Sequence, residues 1–420
     1  MGIIKMSLRL MIADLKRTIF YAISLTLSIS IIFVFFCYID NDILGNSMSG
    51  GGFSQILALM VIVFAIFNCV FANNFFVAGK TNEIAISELN GTSVFGVALY
   101  LLVQNFVIMT ICLIVGFFLG YFFNAFFNSL VYSKMGVTGN IFYVPTDGLI
   151  WGVIVIFTEL FFLTMMNTGF AYRKDIKDLL SAEDSMNLNV KKSRIPSIVY
   201  WILYIVPFII YFKIDLETSK FMVYTVIGLF GINGLLKKGI SELIIRRQKK
   251  HLNQKISLIA YGNLSSTIKK SGLLLNMLVL SVIMIIGLII SYQKDKNTQY
   301  LLVLTYYIII FLMSTSILYN LINEVTLRNK LYSSLFKLGY LKKDLKRIMR
   351  KEITLFYLVI LFFPTSYASV MLFRFVFGNV ITFEFALTLL LSYIIPIILT
   401  GFIVYVVYVK SILSKLGGPR

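Results

Sequence analysis

Apolar runs of about 20 residues, separated by short clusters of polar and charged residues, recur from Thr18 almost to the end of the chain. The uncharged or nearly uncharged segments are 18–38, 54–77, 94–123, 149–172, 195–212, 221–236, 273–292, 301–322, 353–373 and 385–409. About 20 apolar helical residues cross a ~30 Å hydrocarbon core, so the pattern predicts an all-α integral membrane protein with about ten transmembrane helices. The shortest run, 221–236, is bracketed by Lys220 and Lys237, whose ammonium groups can reach opposite interfaces. The first run is too long for a typical signal peptide and has no A-x-A-like cleavage site, so it reads as a retained helix. Ahead of it, IIKMSLRLMIADLKR places Lys5, Arg9 and Lys16 on one helical face and Leu8, Met11, Ile12 and Leu15 elsewhere. That is the pattern of a short amphipathic helix lying in the inner interface.

Composition agrees: 59% of residues are hydrophobic and 14% charged, with a mean hydropathy of +0.88. A soluble enzyme carries nearer ~25% charged residues. Charge then orients the chain. Lys5, Arg9, Lys16 and Arg17 precede the first run, whereas Asp40 and Asp42 follow it, which predicts a cytoplasmic N-terminus. Ten spans return the C-terminus to the same side. In that topology 32 of the 38 Lys and Arg residues are cytoplasmic, and only Lys134, Lys213, Lys220, Lys294, Lys296 and Arg374 are outside. The net charge of +19 therefore describes a cytoplasmic rim facing anionic membrane lipids, and gives no reason to expect nucleic acid as a partner.

Two kinds of cytoplasmic segment occur twice. MSLRLMIADLKRTIFYAISLTL, from Met6, echoes ISLIAYGNLSSTIKKSGLLLNML, from Ile256, at an offset of 250 to 253. GKTNEIAISELNGTS, from Gly79, aligns with LRNKLYSSLFKLGYL, from Leu327, at a constant offset of 248 that sets Lys80 on Arg328 and Gly91 on Gly339. The duplication predicts two four-helix units, 1–172 and 256–420, joined by a linker, 173–255, that holds a two-helix hairpin. The second pair reads as short helices, at about 80–91 and 328–339. Leu331, Leu335 and Leu338 form an apolar stripe in one, and Ile84, Ala85 and Leu89 a shorter one in the other. Gly91 and Gly339 stand where a helix would end on a left-handed residue. Held between two spans, such an element can pass motion to a cytoplasmic partner, or simply lay its apolar face on the bilayer.

At these residues the sequence resembles the FtsX-like family of ABC transporter permeases. In that family the loop between the second and third helices of each unit reads basic-x-x-E-I, then L-x-x-L-G, then a basic helix. KTNEIAISELNGTS keeps Glu83-Ile84 but has Asn90 before Gly91; RNKLYSSLFKLGYLKKDLKRIMRKE keeps Leu338-Gly339 but has Leu331-Tyr332 in place of Glu-Ile. YRKDIKDLLSAE, from Tyr172, is similar to the segment that closes a family unit. Four helices, a central pair and four helices resemble the BceB-type branch, associated with resistance to antimicrobial peptides. That branch carries a large extracellular domain between its seventh and eighth helices, where this chain has only SYQKDKNTQ.

The resemblance implies the permease subunit of an ABC transporter in a bacterial plasma membrane, exporting or extracting an amphipathic peptide or lipid. It implies two separate cytoplasmic ATPase subunits, with ATP and Mg bound there and no cofactor on this chain. Lys80, Glu83, Ile84, Leu89, Gly91, Arg328, Leu331, Leu335, Leu338 and Gly339 would form the ATPase-coupling elements.

No GxxxxGK[ST] phosphate loop occurs. NFFVAGKT, from Asn74, lacks the first glycine and follows a span where a strand is needed. His251 is the only histidine, and Cys37, Cys69 and Cys112 all lie in apolar runs, so no metal site or disulfide framework is expected. No catalytic triad or carboxylate pair emerges, and the chain is not expected to be an enzyme itself. Glu159 is the one acid deep inside a predicted span, at a cost of ~2.5 kcal/mol or more unless protonated, paired or hydrated. It reads either as part of a substrate or ion path with Asn68 and Asn105, or as a structural glutamate bonded to Asn68, Asn105 or Ser316. Pro207, Pro364 and Pro396 fall in spans and predict freed carbonyls there. Besides the permease, two functions fit: a proton- or cation-coupled secondary transporter using Glu159, and an ATP-driven regulator that moves no substrate but acts on a cell-envelope partner.

Overall fold

A computed structural model describes residues 3–13, 15–41, 53–89, 91–136, 138–173, 196–213, 218–250, 254–293 and 296–415. These residues form helices joined by short turns, and the chain divides into two compact units, Met1–Asn187 and Leu188–Arg420. Among the described residues eight helices are long and apolar enough to cross a membrane, which makes this a multi-pass membrane protein.

The first unit contains α1 (Ile3–Ala13), α2 (Leu15–Ile39), α3 (Phe53–Leu89), α4 (Val94–Met135) and α5 (Thr146–Arg173). The last four carry spans, and α2 is the hub, packing against α3, α4 and α5. Burial in lipid gives little drive for helix pairing, so close backbone approach and interhelical hydrogen bonds must supply it. Gly116 and Gly120 of α4 provide the approach: a Cβ at Gly116 would lie 2.7 Å from Ile29, and one at Gly120 2.8 Å from Phe33. The hydrogen bonds run from Ser30 to the Gly116 carbonyl at 2.9 Å, Asn68 to Ser24 at 3.2 Å and Asn73 to Asn167 at 2.7 Å. Cys37, Cys69 and Cys112 are buried in this packing as free thiols.

The amphipathic leader is helical, as its pattern predicts, but its inner face meets protein. Leu10 packs on the cluster of Ile84, Ala85, Val97, Ala98, Tyr100 and Leu101, while Lys5 and Arg9 are exposed.

The second unit contains α6 (Ser197–Lys213), α7 (Thr218–Gly234), a π-helical turn (Leu235–Gly239) and α8 (Ile240–Lys250). α9 (Lys255–Lys270), α10 (Gly272–Ser291), α11 (Lys296–Leu327), α12 (Asn329–Lys337), α13 (Lys342–Phe377) and α14 (Phe383–Lys415) follow. Spans lie in α10, α11, α13 and α14. The hairpin predicted between the repeats is α6 and α7, helices of 17 residues each, or ~25 Å at 1.5 Å per residue, short of a full bilayer core unless flanking residues contribute. It packs on α10 and α13 and so is part of the second compact unit. The helices run through all three prolines. At Pro364 the carbonyl of Ile360, four residues earlier, accepts a hydrogen bond from the Tyr393 hydroxyl of α14 at 3.0 Å, replacing the bond a proline cannot donate.

Candidate functional site

The repeated element of the first unit is not a separate short helix. No proline interrupts Gly79–Leu89, and α3 continues unbroken from its span to Leu89, so the expected helix at 80–91 is the end of α3. In the second unit α11 reaches Leu327 and α12 starts at Asn329, with Arg328 the single residue between them at φ −89° and ψ −1°.

Both elements end in the same way. The Thr92 N–H bonds the Ser87 carbonyl at 3.0 Å, and the Tyr340 N–H bonds the Leu335 carbonyl at 3.1 Å. Gly91 and Gly339 take φ of 86° and 92°, a region that costs a residue with a Cβ roughly 1–2 kcal/mol. These are Schellman closures. Their donors and acceptors stand 248 residues apart, the offset read from the sequence.

Below each closure a cation is buried. Lys80 is 0% exposed; its ammonium donates to the Leu10 carbonyl of α1 at 3.3 Å and to Glu83 at 3.2 Å. The Tyr100 hydroxyl of α4 donates to the same carboxylate at 2.7 Å. Arg328 is 1% exposed; its guanidinium pairs with Glu352 of α13, donates to the Asn263 carbonyl and Thr267 hydroxyl of α9 at 3.1 and 2.7 Å, and meets Glu324 at 3.3 Å. Lys270 closes the cluster on Glu324 at 2.9 Å. In each unit, then, the cation ties the element to the amphipathic helix that opens the repeat. Ser7 and Ser257, the S-L serines, tie that helix onward: Ser7 donates to the Tyr100 carbonyl at 3.0 Å, and Ser257 accepts from Lys351 at 2.7 Å.

The carboxylate missing from the second element has moved across the contact. In the first unit the element supplies the acid, Glu83, and the following helix the tyrosine, Tyr100. In the second the element supplies the tyrosine, Tyr332, and the following helix the acid, Glu352, at a hydroxyl-to-oxygen distance of 3.3 Å. Asn263 also donates to Glu352 at 3.1 Å, and the Tyr408 hydroxyl of α14 lies 3.3 Å from it. Burial pushes the Tyr332 phenol above its ordinary pKa, so it stays a donor. Glu352 is inconspicuous in the sequence because it sits between the basic stretch and the apolar run; its signal is an acid next to Lys351 at the mouth of a span.

Lys80 and Arg328 point inward, where their side chains hold the elements against neighbouring helices. Ile84 is buried with them, and Leu331 and Leu335 are half-buried. Exposed apolar side chains lie on the elements and just beyond them, Ile86, Leu89 and Phe95 in the first unit and Phe336, Leu338 and Leu341 in the second, the latter set beside the exposed Lys337. Leu338 is 77% exposed and borders a cleft of about 520 Å³ with Gln254, Lys255 and Asp344.

Glu159, Asn68 and Asn105 are all buried inside the first unit. They do not form one hydrogen-bonded group: Ser28 of α2 donates to Glu159 Oε1 at 3.0 Å, and Asn68 donates to Ser24. Among the described residues neither Glu159 Oε2 nor the Asn105 amide has a hydrogen-bond partner. Ser28 and Cys69 are therefore hydrogen-bonded neighbours of this carboxyl. Glu159→Gln should keep the Ser28 bond and melt within a few tenths of a kcal/mol of the parent in detergent. Glu159→Leu should lose it at ~0.6 kcal/mol, the average for an interhelical hydrogen bond in a membrane. A transport defect in Glu159→Gln with normal melting would instead assign the proton a functional role.

The segment after Tyr172 that resembles a unit-closing motif lies outside the described residues from position 174 to 195. Among those described, no group of His, Cys, Asp and Glu could hold a metal ion. Among curated proteins none matches the chain. Residues 55–173, which enclose the first element and the whole of α4 and α5, match the family model described as FtsX-like permease C-terminal, and this match supports the FtsX-like ABC permease family for the chain.

Proposed function

We propose that this chain is the membrane subunit of an ABC transporter whose separate ATPase subunits seat on the two repeated elements. The observation that carries the reading is their shared construction: a Schellman end, exposed leucines at the tip, and a buried cation that fastens each element to its neighbouring helices. A force applied at Leu338 passes through Arg328 and Tyr332 into α9, α13 and α14; one applied at Leu89 passes through Lys80 and Glu83 into α1 and α4. Movement of the tips thus becomes movement of spans. The match over residues 55–173 supports the same reading.

The substrate we propose is an amphipathic peptide or lipid taken from the bilayer of a bacterial plasma membrane, because the connections on the predicted outer side are short, the longest being 124–148. In vesicles that contain this chain with its ATPase, ATP should drive a fluorescent amphipathic peptide out of the leaflet that holds it. Redistribution that proceeds equally without ATP would overturn the proposal.

A further inference from the structure

A groove of about 880 Å³ in the second unit lies between α6, α8, α9 and α13, within the size range of sites for small amphipathic molecules. Its walls are largely apolar, with Trp201, Leu264, Leu358 and Phe362 among them, and two of the residues lining it are Arg246 and Arg247. Along α8, Ile240, Leu243, Ile244 and Arg247 recur at i, i+3, i+4 and i+7, so one helix face carries both the apolar wall and a cation. α8 continues from the π-helical turn that ends the hairpin, in the direction the Lys and Arg distribution assigns to the cytoplasm, and both arginines are exposed. The other wall descends α13 from Leu355 to Thr365, ~15 Å of helix, which is half of a ~30 Å hydrocarbon core. Lys351, one turn above Leu355, stands 4.8 Å over the ring of Tyr261, another lining residue.

An apolar trench one leaflet deep with cations at its surface end complements one kind of molecule. We infer that this groove binds an anionic phospholipid of the inner leaflet, its acyl chain along Leu358 and Phe362 and its phosphate at Arg246 and Arg247. Glu242, the acid on α8, stands one turn before Arg246, toward the hairpin, and is outnumbered by the two arginines and by Lys249 and Lys250 that follow them.

Trp201 allows a direct test, since Trp151 is the only other tryptophan and is exposed. With the full chain carrying Trp151→Phe in nanodiscs, dibrominated phosphatidylglycerol should quench Trp201 at a several-fold lower mole fraction than dibrominated phosphatidylcholine. Arg246→Gln with Arg247→Gln should bring the two curves together, and the paired change to lysine should keep them apart. Identical curves in the parent protein, a preference that survives the glutamine pair, or full reversal of quenching by glycerol phosphate alone would each overturn the assignment.

Discussion

Arg328→Met should destabilise the protein more than any other single substitution in the two repeated elements, lowering stability by ~3–5 kcal/mol, the cost of leaving a buried acid without its counterion. The side chain is fully enclosed and faces Glu352 and Glu324. Glu324 keeps Lys270 at 2.9 Å, so Glu352 is the acid left uncompensated, with only the neutral donors Asn263, Tyr332 and Tyr408 around it. Adding Glu352→Leu should recover much of the loss, because removing both partners avoids the stranded charge. Lys80→Met should cost much less, on the order of 1 kcal/mol: Glu83 is partly solvated and retains Tyr100 at 2.7 Å. Melting of the detergent-solubilised variants measures all three. Equal losses at Arg328 and Lys80 would show that the two cations do not differ as their surroundings require.

The largest functional effect should come from Leu338→Asp, and a similar one from Leu89→Asp. Both side chains are mostly exposed, so a charge there should leave folding within ~0.5 kcal/mol of the parent. Seated against an ATPase, the same carboxylate would be desolvated without a partner, at a cost of several kcal/mol. Binding of the ATPase should weaken at least tenfold, and ATP-driven transport should fall in parallel while melting is unchanged. Leu335→Asp is the poorer probe, since this half-buried side chain mixes docking with folding. Wild-type ATPase binding in Leu338→Asp would remove the second element from the docking surface.

Eight of the ten apolar runs read from the sequence are span-length helices, because about 20 uncharged residues in a row leave the backbone few alternatives in a bilayer. The runs 195–212 and 221–236 form the shorter hairpin helices. The duplicated elements were legible through Gly91 and Gly339, whose left-handed conformation only glycine adopts cheaply. What stayed hidden depends on contacts between segments far apart in the chain. Nothing local says that Lys80 turns in to the Leu10 carbonyl rather than out to a partner, or that Glu352 takes over across a helix boundary the place left by Leu331. The continuity of α3 through Lys80 was hidden for a different reason: the absence of a helix breaker is a weaker signal than a glycine stop. The Gly116 and Gly120 contacts with α2 had a readable spacing, but small residues four apart select a partner only once the fold brings Ile29 and Phe33 against them.

The central claim, that one chain carries two ATPase seats, is tested most directly by the mass of the complex purified on this chain after co-expression with a candidate ABC ATPase from the same genome. One copy of this chain with two ATPase subunits is the expected composition. Two copies of this chain for each ATPase pair, or no retained ATPase, would contradict it.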